Sequence, residues 1–196
     1  MSTTPSPSPA SSSPPAAPPS IGAVPSATDA PLVVPRHLDE LLALDPETLR
    51  RLYVGASVPR IPDLSGDLRG RMLAWPALSG VAAAAVRAIA STSRFPWRGK
   101  SFRHASDAAG GGDNRVVVDR FHLFEFDTFV GPSRAGAFDA VQLDYDKPSN
   151  PFFIRAIKDE VRELRPGLFL GQAWLKAGPR EPRLVLYFGL EKRLPS

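Results

Sequence analysis

LFLGQAWLK (Leu168–Lys176) and RLVLYFGLE (Arg183–Glu191) flank AGPREP (Ala177–Pro182) near the end of the chain. Both flanks are rich in apolar and aromatic residues that alternate faces, and the segment between them carries proline and glycine, so the stretch reads as two strands joined by a turn. In a strand, successive side chains point to opposite faces. Leu184, Leu186, Phe188 and Leu190 therefore share one face, and Arg183, Val185, Tyr187, Gly189 and Glu191 the other. In the preceding strand Leu168, Leu170, Gln172 and Trp174 stand together.

Upstream, the same signals recur. Leu68–Leu73 reads as a strand after the turn at Pro62–Asp67, and Gly99–His104 as a short one. Val116–Val118 and Phe121–Val130 are dense in β-branched and aromatic residues, and Ala137–Asp146 follows the turn cluster GPSRAG (Gly131–Gly136). Ala108–Asn114, with three consecutive glycines, reads as a flexible connection; no Gly-Lys-Ser/Thr follows, so it is not a phosphate loop. Helical signals are fewer. His37–Tyr53 predicts two short helices, broken where Asp45 caps and Pro46 takes the first helical position, with an apolar stripe that suits a lid or plug. Leu78–Thr92 is Ala-rich and predicts a helix. Asn150 and Pro151 open a third, running to Leu164 with Phe153, Ile157 and Val161 at four-residue spacing; its charged residues Lys158, Asp159, Glu160, Arg162 and Glu163 then form a solvated face.

Regular βαβ alternation is absent, which argues against a doubly wound parallel sheet. The chain is expected to be mainly β within an α+β class: a strongly bent antiparallel sheet or a closed lipocalin-like barrel, with N-terminal helices and one helix in the C-terminal half.

Several segments carry a resemblance. GDLRG (Gly66–Gly70), WRGKSF (Trp97–Phe102), NRV (Asn114–Val116), GPS (Gly131–Ser133), LDYD (Leu143–Asp146), IKDEVREL (Ile157–Leu164), PGLFLG (Pro166–Gly171) and FGLE (Phe188–Glu191) together resemble a group of uncharacterised bacterial proteins. These are similar to small calycin-type barrels, in the company of lipocalins and fatty-acid-binding proteins. The resemblance spans about residues 60 to 191, and it implies a ligand-holding barrel. Leu68 stands where the lipocalin Gly-x-Trp pattern has its tryptophan.

If the mixed strand faces turn inward, an apolar cavity acquires polar tips at His122, Gln142, Gln172, Trp174 and Tyr187, the make-up of a small-molecule pocket. Arg115, Arg120 or Tyr187 would hold a carboxylate head group, Arg by bidentate hydrogen bonds. The expected function is binding of a small, largely apolar, fatty-acid-like molecule, with catalysis left open. One alternative is an isomerase, cyclase or hydratase in the same cavity, with Asp144 and His122 as acid and base. Another is a protein-interaction module working through a proline-rich tail. Ser133 lacks the Gly-x-Ser-x-Gly spacing of a nucleophile elbow. His37, His104 and His122 show no paired metal-ligand spacing, so no metal and no cofactor is expected, although His122 inside a barrel could ligate haem.

Composition bounds the rest. The chain has 196 residues, 43% hydrophobic, and 22 prolines, ten of which fall in the first 35 residues among Ser, Ala and Thr. That stretch holds too few apolar side chains to offset ordering entropy, so 1–35 is expected to be a disordered tail and 36–196 a single globular domain. No cysteine is present, which excludes disulfides, thiolate metal sites and a cysteine nucleophile. The net charge is +4, but arginine is interleaved with 20 acidic residues along the chain rather than clustered, so no nucleic-acid partner is expected. No apolar run is long enough to span a bilayer, and the first 35 residues lack a basic start followed by an apolar core. A cytoplasmic location follows as an expectation.

Overall fold

The computed structural model describes residues 32–76, 97–116, 121–176, 178–179 and 181–192. Eight strands form a closed barrel: β1 (Gly66–Ala74), β2 (Trp97–His104), β3 (Ala109–Val116), β4 (Phe121–Pro132), β5 (Asp139–Asp144), β6 (Ile157–Arg165), β7 (Leu168–Leu175) and β8 (Arg183–Lys192). Each strand pairs antiparallel with the next, and β8 pairs with β1, Arg69 opposite Glu191, so the barrel itself has no free edge to template aggregation. The expected closed barrel is what the protein adopts. The two strands expected at the end of the chain pair antiparallel, with Gln172 opposite Tyr187.

Closure divides the side chains into two layers. Inside, Leu68, Phe102, Phe126, Leu143, Phe169 and Leu190 pack with Ile61 and Leu64 of a single 3-10 turn, Ile61–Leu64. Leu68 is fully buried in this inner layer. Outside, a 3-10 segment (Leu38–Ala43) and helix α1 (Pro46–Gly55) lay Leu38, Leu41, Leu49, Leu52 and Tyr53 over Leu168, Leu170 and Tyr187 of the wall. The expected break between the two helical segments is there: the Asp45 carboxylate accepts from the Glu47 and Thr48 amides at 2.9 and 3.0 Å, and Pro46 occupies the first turn. Their role differs from a lid, however. The apolar stripe covers the outer wall, where Gly189 leaves room for it: a Cβ there would stand 2.4 Å from Leu38 Cδ1.

Two segments depart from the sequence expectation. The predicted helix from Pro151 to Leu164 is one turn, α2 (Phe152–Arg155), followed by β6. A four-residue spacing of Ile157 and Val161 is also two strand periods, so the pattern fits either element. Ladder pairing decides it, since β6 is flanked by β5 and β7 and the barrel cannot close without it. Phe153 is accordingly exposed while Val161 is fully buried in the inner layer. The glycine-rich segment is no loop either but most of β3, whose glycines let neighbouring backbones approach: a Cβ on Gly112 would lie 2.1 Å from the Ser101 carbonyl oxygen. The expected helix Leu78–Thr92 and most of the tail, residues 1–31, lie outside the described residues.

Candidate functional site

The inner layer fills one end of the barrel and leaves a cavity of about 300 Å³ toward the other. Its walls are apolar, supplied by Met72, Val116, Phe124, Ile154, Ile157 and Leu186. Its floor is a polar cluster that sequence reasoning did not find: Lys100 of β2, Asn114 of β3, Tyr145 after β5 and Asp159 of β6.

Strand register brings the four together. Lys100 stands opposite Leu68 on β1 and Asn114 on β3, so both polar side chains face inward with Leu68. Asp159 pairs with Leu143 and Ala173, residues of the inner layer. All of them are removed from water, Lys100 at 2% and Asp159 at 5% exposure. The Lys100 ammonium donates to Asn114 Oδ1 (2.9 Å), Tyr145 Oη (2.5 Å) and Asp159 Oδ2 (2.9 Å), which uses its three protons. Tyr145 donates to Asp159 Oδ2 at 2.9 Å, and the Trp97 indole N–H donates to Asn114 Oδ1 at 3.0 Å. Gly70 makes that last contact possible, because a Cβ there would fall 2.5 Å from the Trp97 ring.

Aromatic faces complete the enclosure. The Lys100 nitrogen lies 5.1 to 5.8 Å from the ring centroids of Phe188, Tyr145, Phe126 and Trp97, within cation–π range. Burial pulls the Lys100 pKa below its ordinary value, opposed by the Asp159 carboxylate. Burial also pushes the Tyr145 phenol well up, and Asp159 adds to the effect, so Tyr145 stays a neutral donor.

The residues singled out from sequence sit elsewhere. Gln142, Gln172, Trp174 and Tyr187 belong to the outer face of the wall: Tyr187 packs beneath α1, and Gln142 and Trp174 donate to Glu160 at 3.3 and 2.9 Å. Their mixed faces turn outward because the N-terminal segments and the Gly131–Phe138 turn cover that side, which makes it a second buried layer. Glu160, fully buried, anchors the layer and also accepts from the Ser133 hydroxyl and the Arg134 amide. Arg115 lies on the face of β3 opposite Asn114, donating to the Leu68 carbonyl oxygen at 3.4 Å. Arg120 lies outside the described residues.

The expected acid–base pair is not brought together. His122, half-exposed, bonds Asp113 at 2.5 Å, whereas Asp144 is held by Lys158. His122 pairs along β4 with Arg115, and Asp144 with Asp127 five residues further, a separation on the order of 15 Å at the usual strand rise. Nor does His122 line the cavity, so a haem held there by this residue has no support from its placement. Among the described residues no group of His, Asp and Glu is arranged to hold a metal ion, and no helix is long and apolar enough to cross a membrane.

Fold and site together define a closed eight-stranded antiparallel barrel with an apolar internal cavity and a charged floor. No protein-family model matches the chain, and no curated protein matches it at a significant level. Among solved structures it is similar to a protein from Thermomonospora curvata, with 17% identity, 77% of this chain and 89% of that chain covered, and a TM-score of 0.43.

Proposed function

We propose that this protein binds a small, largely apolar molecule inside the barrel. The observation that carries the reading is the cavity itself, an apolar space of about 300 Å³ set on one compact polar floor. Its volume is at the small end of the range for ligand pockets, and apolar walls with a few convergent polar groups are their common make-up. An interaction module would fill this interior with side chains. A fatty-acid-like chain suits the walls, and the floor determines which head group can follow it.

A second reading is proton-transfer chemistry in the same cavity, favoured by the carboxylate of Asp159 beside the Tyr145 hydroxyl. Binding is the better account, because Lys100 and Tyr145 spend their protons on internal partners and leave no donor to stabilise charge developing on a substrate. The test is a titration of the purified full chain with an environment-sensitive apolar dye. Micromolar affinity, about −8 kcal/mol, is expected. Ala173 lines the cavity, so Ala173→Leu should fill part of it and weaken binding at least about tenfold. No dye binding to the wild type, or equal binding to the variant, overturns the reading.

A further inference from the structure

The hydrogen bonds of the cavity floor close on one another. Lys100 gives its three protons to Asn114, Tyr145 and Asp159. The Tyr145 proton goes to Asp159 Oδ2 and the Trp97 N–H to Asn114 Oδ1. The Asn114 amide protons go to the Phe124 carbonyl oxygen at 3.4 Å and to Tyr145 Oη at 3.2 Å. The side-chain acceptor left over on these residues, Asp159 Oδ1, is buried behind the cavity surface and out of a ligand's reach. At the mouth the lining stays apolar. Phe121 stands opposite Val116 and Leu175 opposite Ile157, both of them cavity residues, so these rim side chains share the inward face. Lys147 and Lys158, beside the mouth, are held by Asp127 and Asp144.

From this arrangement we infer that the cavity takes an uncharged, hydrocarbon-like molecule without a head group, of about two fused rings or roughly ten carbon atoms. The inference rests on the ligand-binding reading above and narrows it. Size follows from volume: an apolar cavity of about 150 Å³ holds a benzene molecule, and this one measures about 300 Å³. Polarity follows from the floor. A hydroxyl or carbonyl gives up its bonds to water on entering and finds none in exchange, because the donors inside are spent on Asn114, Tyr145, Asp159 and the Phe124 carbonyl. A carboxylate loses more, since Lys100 is already paired with Asp159 at 2.9 Å and a second anion would be buried without a partner. An ammonium meets the same obstacle, because the aromatic faces of Trp97, Phe126, Tyr145 and Phe188 that could receive a cation already surround Lys100.

Four naphthalenes of similar shape test this by calorimetric titration of the full chain at neutral pH. Methylnaphthalene carries no polar group, naphthol a hydroxyl, methyl naphthoate an uncharged ester and naphthoate a carboxylate. Methylnaphthalene should bind most tightly, naphthol roughly five- to hundredfold more weakly, the range for a polar group buried without a partner, and naphthoate more weakly still. Methyl naphthoate is larger than naphthoate, so its binding at least about tenfold more tightly than the acid would show that the cavity refuses charge rather than size. Naphthol or naphthoate binding as tightly as methylnaphthalene, or methyl naphthoate binding no better than naphthoate, overturns the inference while leaving the cavity a binding site. If none of the four binds, both readings fail.

Discussion

Replacing Lys100 with methionine should separate the charge of the cavity floor from its packing. Methionine is unbranched and reaches about as far, so the aromatic enclosure keeps an occupant and no large void opens. What is lost is the cation. The Lys100 and Asp159 side chains are 3% and 6% exposed and 2.9 Å apart, and the variant leaves the carboxylate with the Tyr145 hydroxyl as its remaining donor. Removing one member of a buried ion pair costs about 3–5 kcal/mol, whereas replacing the whole pair by neutral groups is often about neutral. Lys100→Met should therefore lower the unfolding free energy by about 3–5 kcal/mol. The double variant Lys100→Met, Asp159→Asn removes both charges and keeps an acceptor for Tyr145, so it should return to within about 1.5 kcal/mol of the wild type. Urea unfolding followed by tryptophan fluorescence and circular dichroism measures this, and an unchanged denaturant slope would show that the barrel still unfolds as a unit. A single variant that costs under about 1 kcal/mol, or a double variant no more stable than the single, would refute the reasoning.

Four further outcomes follow from the same placements. Glu160→Ala should cost about 3 kcal/mol or more, because Ser133, Arg134, Gln142 and Trp174 lose their acceptor, yet leave ligand affinity unchanged, since the cluster lies outside the barrel; a matched loss of affinity in the titration would contradict that placement. Tyr187→Phe, beneath α1, should leave affinity within about twofold of the wild type, and a larger loss would put Tyr187 in the binding site. Tyr145 keeps its proton in the fold above the ordinary phenol value near 10, so the folded state binds more protons than the unfolded one; stability should be intact below about pH 10 and fall above it, with a shallower fall in Tyr145→Phe by denaturation across pH 8 to 11. Deleting residues 1–30 should shift the thermal midpoint by less than about 5 °C, and a larger fall in calorimetry would mean that this segment packs on the domain.

The barrel was legible in the sequence where a strand shows its alternation locally. β7 and β8 announce themselves through period-two patterning around a Pro/Gly turn, and β4 through its aromatic density. β6 does not. Lys158, Asp159, Glu160, Arg162 and Glu163 look like a solvated helix face, because nothing nearby in sequence says that Lys100 will meet Asp159 or that Ser133 and Trp174 will meet Glu160. Charges buried on both sides of a strand are satisfied only by partners distant in the chain. The same long-range covering misled the assignment of faces: polar tips at Gln142, Gln172 and Tyr187 suggested a cavity, whereas α1 makes the outer wall a second core. One signal for the floor was available, in the alternation of Ile157, Asp159 and Val161, which puts a carboxylate on an otherwise apolar strand face.

The central claim, that ligand occupies the inside of the barrel, is tested most directly by methyl-resolved NMR during titration with methylnaphthalene. Shifts are predicted for Ile154, Ile157, Ala173 and Leu186, which line the cavity, with none for Leu49, Leu52 and Leu168 beneath the outer helix. Shifts confined to the outer cluster, or no shifts at saturating probe, would contradict the account.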